Sequence, residues 1–121
     1  MSKNILVIED NPDNMDLVDE ILKDAGFKVF QATRAEDGIE RLHQGGIDLV
    51  LMDVSLPEMD GLEATRYIRA DKKLKSMPII GLSAHAMKSD KDAAMLAGCD
   101  DYRTKPIDEN VLLQAINRLL S

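Results

Sequence analysis

Five short apolar runs punctuate the chain, and each is followed by a stretch whose apolar residues recur at helical spacing. Residues 4–9 predict the first strand. Asn11 is placed to cap the helix after it, and Pro12 suits the first helical position, where a missing N–H costs nothing. Met15, Val18, Leu22 and Ala25 then fall on one helical face, and Gly26 stops the helix. Residues 28–32 predict a second, weaker strand. Thr33-Arg34-Ala35-Glu36 reads as a capping box for a helix whose inward residues are Ala35, Ile39 and Leu42 and whose end is Gly45-Gly46. Residues 47–52 are apolar apart from Asp48, the pattern of a central strand buried on both faces.

Val54-Ser55-Leu56-Pro57-Glu58-Met59 reads as a loop, after which Asp60-Gly61 opens a third helix. Residues 78–82 predict the fourth strand, with Pro78 at its first position, where proline is tolerated. The fourth helix is expected over 87–97, ending at Gly98, and a short fifth strand over 101–103. Asp108 caps a last helix with the stripe Val111, Leu112, Ala115, Ile116, Leu119 and Leu120. Five alternating strand–helix units imply an α/β fold: a doubly wound, five-stranded parallel sheet with right-handed crossovers. Periodicity alone does not order the strands.

The 121 residues are expected to form one domain, with no output domain, and the apolar fraction of 45% supports a core without disulfides or metals. The single cysteine, Cys99, fits a reducing compartment and reads as a small buried hydrophobe. The first residues carry no targeting signal, and no apolar stretch nears the roughly 20 residues of a membrane helix. A soluble, cytoplasmic protein is expected. The net charge of −7 argues against direct nucleic-acid binding. The one basic cluster, Arg66, Arg69, Lys72, Lys73 and Lys75, is interrupted by acids and reads as a solvated helix face.

Chemistry gathers at the strand ends. Glu9 and Asp10 close the first strand, Asp53 follows the third and Ser83 the fourth, and Lys105-Pro106 comes after Tyr102 in the fifth. In an open parallel sheet these ends line one edge, where ligands bind. Taken alone, Glu9-Asp10 is either a pair of solvated acids or part of a cation site. Asp53 and Lys105 at matching places favour the cation site. Three carboxylates in contact repel, so at least one pKa is expected to rise unless a cation intervenes. Mg²⁺, or Mn²⁺ in its place, suits such oxygen donors. Asp53 is the candidate nucleophile, able to carry a phosphoryl group as an acyl phosphate. Lys105 and the Ser83 hydroxyl would neutralise the equatorial oxygens.

Val7-Ile8-Glu9-Asp10-Asn11, the run from Met52 through Gly61, Leu82-Ser83-Ala84 and Tyr102-Arg103-Thr104-Lys105-Pro106 together resemble the receiver domain of bacterial two-component response regulators. The resemblance covers the whole chain. It implies a flavodoxin-like, CheY-like fold with strand order 2-1-3-4-5. It implies Asp10 as a direct metal ligand, Glu9 acting largely through water, Asp53 as phosphoacceptor, and a backbone carbonyl from Ser55 on the metal. It also implies a cis Lys105–Pro106 bond and a switch in which Ser83 moves toward the phosphoryl group and Tyr102 turns inward. The bland alternative for Tyr102 is a half-buried strand aromatic. Asn11-Pro12-Asp13-Asn14, Ala86-Met87-Lys88 and Pro106-Ile107 look most like stand-alone, DivK-like regulators.

The expected partners are a histidine kinase or a histidine phosphotransfer protein as donor, and a downstream protein on the face of the fourth helix, fifth strand and last helix. Slow, Mg²⁺-dependent autodephosphorylation is expected, and a monomer that dimerises, if at all, on phosphorylation. A haloacid-dehalogenase-like phosphatase also uses an aspartyl phosphate, but it needs a general acid Asp where this chain has Ser55. A flavodoxin would cradle a phosphate where Glu9, Asp10 and Asp13 repel one, and a pseudo-receiver would lack site residues that are present here. His85 reads either as a solvated loop histidine or as a group acting on the attacking water. Met87 and Met95 read either as partner surface or as core filling. His43, near a helix C-terminus, is assigned no chemistry.

Overall fold

The computed structural model describes residues 3–54, 60–84 and 87–121. Strands β1 (Asn4–Ile8), β2 (Lys28–Ala32), β3 (Leu49–Asp53), β4 (Ile79–Ser83) and β5 (Asp101–Thr104) alternate with helices α1 (Pro12–Asp24), α2 (Ala35–His43), α3 (Gly61–Ala70), α4 (Lys88–Ala97) and α5 (Glu109–Leu120). All strand pairings are parallel, in the order β2-β1-β3-β4-β5. The expected doubly wound α/β architecture and its strand order are both present.

The pleat divides the core in two. Ile5, Val7, Leu49, Leu51, Ile80 and Leu82 point to the face covered by α1 and α5, where Val18, Leu22, Leu112 and Ile116 meet them. Leu6, Ile8, Val50, Met52 and Ile79 point to the other face, against Ile39, Leu42, Ala64, Ile68 and Ala94. Each fully buried aliphatic side chain contributes about 1.5–3 kcal/mol. With both faces covered, a one-residue slip of β1, β3 or β4 would swap the two sets between faces and break their packing against the helices.

Caps fix where the helices begin. Asn11 Oδ1 accepts the Asn14 N–H at 3.1 Å, Asp60 accepts Glu63 N–H at 2.7 Å, and Asp108 accepts Val111 N–H at 3.1 Å. At the start of α2 the expected capping box does not form: the N-cap is Arg34, with no side-chain cap hydrogen bond. Glu36 instead meets the Arg34 guanidinium at 2.8 Å. Strand bounds differ from the expected ones by at most two residues. β3 starts at Leu49, and just before it Asp48 is tied to Asn4 twice, its N–H donating to the Asn4 carbonyl at 2.8 Å and its carboxylate accepting the Asn4 N–H at 2.7 Å. β4 runs one residue further, through Ser83.

Arg69 departs from the solvated-face reading. Its guanidinium donates to the carbonyls of Gly98, Lys75 and Met77 at 2.8, 2.9 and 2.6 Å and to Asp100 at 2.9 Å. It ties the end of α4 to the segment entering β4, and a side chain on Gly98, whose φ is +118°, would run into it. Arg66, Lys72, Lys73 and Lys75 are exposed, as expected. Cys99 is buried and unbridged, 3.9 Å from the Thr65 hydroxyl. His43 faces Asp71 at 3.5 Å and the Tyr67 ring edge-on. No helix among the described residues is long and apolar enough to cross a membrane.

Candidate functional site

Three parallel strands with their carboxyl ends level bring Glu9, Asp53 and Lys105 together. Asp53 is the last residue of β3, and Ser83 the last of β4. Val54 N–H bonds the Leu82 carbonyl at 3.0 Å, and Lys105 N–H bonds the Ser83 carbonyl at 2.7 Å, so the pairing carries past the side chains that matter. Gly61, at the start of α3, lies directly against the Asp53 backbone, where a Cβ would collide with the Asp53 carbonyl and the Val54 Cα. The Lys105–Pro106 peptide is cis, as the resemblance implies.

Glu9 and Asp53 are buried, at 1% and 3% exposure, while Asp10 is exposed. One carboxylate oxygen from each of the three lies within 4.8 Å of the others. Lys105 Nζ donates to Glu9 at 2.7 Å and stands 3.5 Å from Asp53. The second Glu9 oxygen accepts the Asn11 N–H at 3.2 Å. The cleft above these groups holds about 370 Å³ and is bordered by Asn11, Pro12 and Ala84.

Burial and the adjoining Asp53 carboxyl push the Glu9 pKa up to about 7, against the opposing pull of Lys105 and the Asn11 N–H. Crowding of the carboxylates predicted a raised group; at Glu9 burial is the larger cause and the neighbouring Asp53 the lesser one. Burial alone would lower the Lys105 ammonium, but Glu9 and Asp53 outweigh it and raise its pKa. When all four groups are ionised, three negative charges face one positive. The donor set therefore fits a hard divalent cation: carboxylate oxygens only, two buried and fixed, and an exposed third opening to water ligands.

Some expected residues lie elsewhere or outside the description. Ser55 and His85 fall outside the described residues, as does the 55–59 loop. Tyr102 is buried at 6% exposure with Asp53 unmodified, packed into the core rather than standing half out. It pairs with Gly81 in the sheet, and its ring lies 3.5 Å from where a Gly81 Cβ would be. Ser83, two residues on, shares that face of the sheet. Met87 and Met95 are exposed, at 70% and 41%, which answers the choice between surface and core in favour of surface. The direct Glu9–Lys105 pair has no local signal, since 96 residues separate its members.

The family described as response regulator receiver domain matches residues 5–117. The chain is 42% identical over 115 residues to the sensor protein GacS of Pseudomonas syringae pv. syringae, covering 93% of itself but only 13% of that protein. It is 32% identical over 120 residues to the polar-differentiation response regulator DivK of Brucella ovis, covering 99% of itself and 98% of DivK. Among solved structures it is similar to the receiver domain of a sensor histidine kinase from Pseudomonas aeruginosa with a magnesium ion in its active site cleft. That likeness has a TM-score of 0.92 at 32% identity, covering 99% and 98% of the two chains. It is also similar, at a TM-score of 0.90 and 29% identity over 98% and 88% of the chains, to a structure pairing the Saccharomyces cerevisiae phosphotransfer protein Ypd1 with the receiver domain of Ssk1.

Proposed function

The chain belongs to the response regulator receiver domain family, and from that membership we propose Asp53 as the residue that takes the phosphoryl group. A receiver is a phosphorelay switch and not an enzyme with a turnover chemistry of its own. The observation that carries the assignment is the meeting of buried Asp53 with Lys105 and two further carboxylates at one strand edge.

An Asp53 oxygen attacks the phosphorus of a phosphohistidine. The P–N bond breaks, the imidazole leaves and takes up a proton, and an acyl phosphate remains. Mg²⁺ held by Glu9, Asp10 and Asp53 would offset the charge of the carboxylates and the incoming oxygens. Lys105 already stands within 3.5 Å of Asp53 and is placed to turn from Glu9 to a phosphoryl oxygen. The Ser83 hydroxyl, on the neighbouring strand end, takes another. Slow hydrolysis of the acyl phosphate resets the switch. The donor is a histidine kinase or phosphotransfer protein, in keeping with the sensor GacS and the Ypd1–Ssk1 pairing among the similar proteins. Output leaves through the α4-β5-α5 face. The dehalogenase-like phosphatase gains no support, since the position of its general acid is a serine.

The test is intact-mass measurement after incubation with acetyl phosphate and Mg²⁺. The wild-type chain should gain one phosphoryl group and Asp53→Asn none. Undiminished labelling of the variant would place the nucleophile elsewhere.

A further inference from the structure

The cleft over Asp53 is lined by one polar side chain that neither the metal set nor the phosphoryl contacts use. Asn14, the third residue of α1, is half-buried and borders the cleft together with Glu9, Asp53 and Lys105. Its backbone N–H is held by Asn11 Oδ1 at 3.1 Å, but among the described residues nothing engages its carboxamide. The helical turn that carries it is anchored. Met15 beside it and Val18 one turn on are buried in the core, and Met15 N–H bonds the Asn11 carbonyl at 3.0 Å. Of the other residues bordering the cleft, Asn11 is turned back as the helix cap, and Pro12 and Ala84 have no polar side-chain atom. The Asn14 amide offers an acceptor oxygen and two N–H donors to whatever occupies the cleft.

Phosphoryl transfer needs the attacking and leaving atoms in line through phosphorus. Asp53 is buried on the floor of the cleft, so the second axial position lies toward its open side. The three equatorial oxygens are assigned to Mg²⁺, Lys105 and Ser83, which leaves the axial position without a partner. We propose that Asn14 is the positioning residue there. Its Oδ1 accepts a hydrogen bond from a water in line with the Asp53 acyl phosphate and holds that water for attack. The water oxygen bonds to phosphorus, the P–O bond to Asp53 breaks, and Asp53 recovers the electron pair as a carboxylate. Both water protons leave with the inorganic phosphate. A neutral amide suits the place: a carboxylate would repel the phosphoryl dianion, and an apolar side chain would leave the water unoriented. The inference rests on Asp53 as phosphoacceptor and gives Asn14 a part in setting how long the modified state lasts.

The experiment phosphorylates the full chain with acetyl phosphate and Mg²⁺, removes the donor by desalting, and follows loss of the phosphoryl group by intact mass in Mg²⁺ buffer. Asn14→Ala and Asn14→Leu should both decay more slowly than wild type, by about three- to tenfold, the worth of one positioning hydrogen bond. Leucine is close to asparagine in size and alanine opens the cleft, so slowing in both variants cannot come from bulk. Mg²⁺ affinity by calorimetry should match wild type in both, because Asn14 is outside the metal set. A structural fault in the first turn of α1 would move that affinity, since Glu9 accepts the Asn11 N–H at 3.2 Å. An unchanged decay rate, faster decay of the alanine variant, or an Mg²⁺ affinity that falls along with the rate would overturn the proposal. A wild-type chain that takes up no phosphoryl group defeats the receiver reading and this inference with it. Labelling followed by equal decay in all three proteins defeats this inference alone.

Discussion

Lys105 is closer to Glu9, at 2.7 Å, than to Asp53, at 3.5 Å. The ammonium that a phosphoryl group would need is therefore held by a carboxylate from a different strand while Asp53 is unmodified. Glu9 is buried, and its pKa of about 7 has consequences for stability.

Between about pH 4.5 and pH 7 the folded chain keeps a proton on Glu9 that the unfolded chain has released. The folded state binds more protons there, so stability falls as pH rises through that window. The full effect is on the order of 1–3 kcal/mol. Thermal melts in EDTA should show wild type losing several degrees between pH 5 and pH 8, and Glu9→Gln should lose much less. Parallel curves for the two proteins would show that Glu9 is not the raised group.

A cation that binds only the folded chain stabilises it by mass action, and one that needs ionised carboxylates does so less at low pH. Mg²⁺ should raise the wild-type melting temperature more at pH 8 than at pH 5.5. Asp10→Ala should abolish most of that gain while leaving the EDTA melt within about 0.5 kcal/mol of wild type, since Asp10 is exposed. Calorimetric titration of Mg²⁺ gives the same comparison directly; equal affinities would remove Asp10 from the ligand set.

Gly81 lies beside Cys99, Val54 and the Tyr102 ring. A Cβ there would lie 3.3 Å from Cys99 Sγ, 3.4 Å from Val54 Cγ1 and 3.5 Å from the Tyr102 ring. Gly81→Ala is tight but should be accommodated. Gly81→Val adds atoms with no room for them and should cost about 1–3 kcal/mol, with Tyr102 driven outward. Ring resonances and solvent accessibility of Tyr102 report the move. A tyrosine that stays buried in the valine variant would mean that another side chain yields instead.

Arg69→Ala should destabilise the chain by about 2–4 kcal/mol, because it strips hydrogen bonds from three backbone carbonyls and Asp100 at once. Arg69→Lys should recover only a small part, since an ammonium cannot span the same fork. Urea melts of the three proteins check both statements.

The strand-and-helix alternation was legible because each buried strand is a continuous apolar run and each helix announces itself by a cap or a terminal glycine. The meeting of Glu9, Asp10, Asp53 and Lys105 was legible because a parallel sheet turns separate strand ends into neighbours. Arg69 was misread because three of its four partners are backbone carbonyls, which leave no trace in side-chain pattern. The α2 start was misread because Thr33 and Glu36 have capping-box spacing, yet the helix begins after Arg34. The buried Tyr102 sits opposite Gly81, a fact of pairing register and not of local sequence.

Gly61 presses the first turn of α3 against the peptide that bears Asp53. That end of β3 has a backstop, and Asp53 has no room to recoil when bulk and charge are added to it. On the proposed switch, the group with a choice of positions is the Lys105 side chain, which stands between two acids. The two sides of Asp53 then differ in kind: a backbone wall on one, a side chain with two partners on the other. A side chain at position 61 would do more than crowd a turn, because it would shift the wall against which the switch pushes.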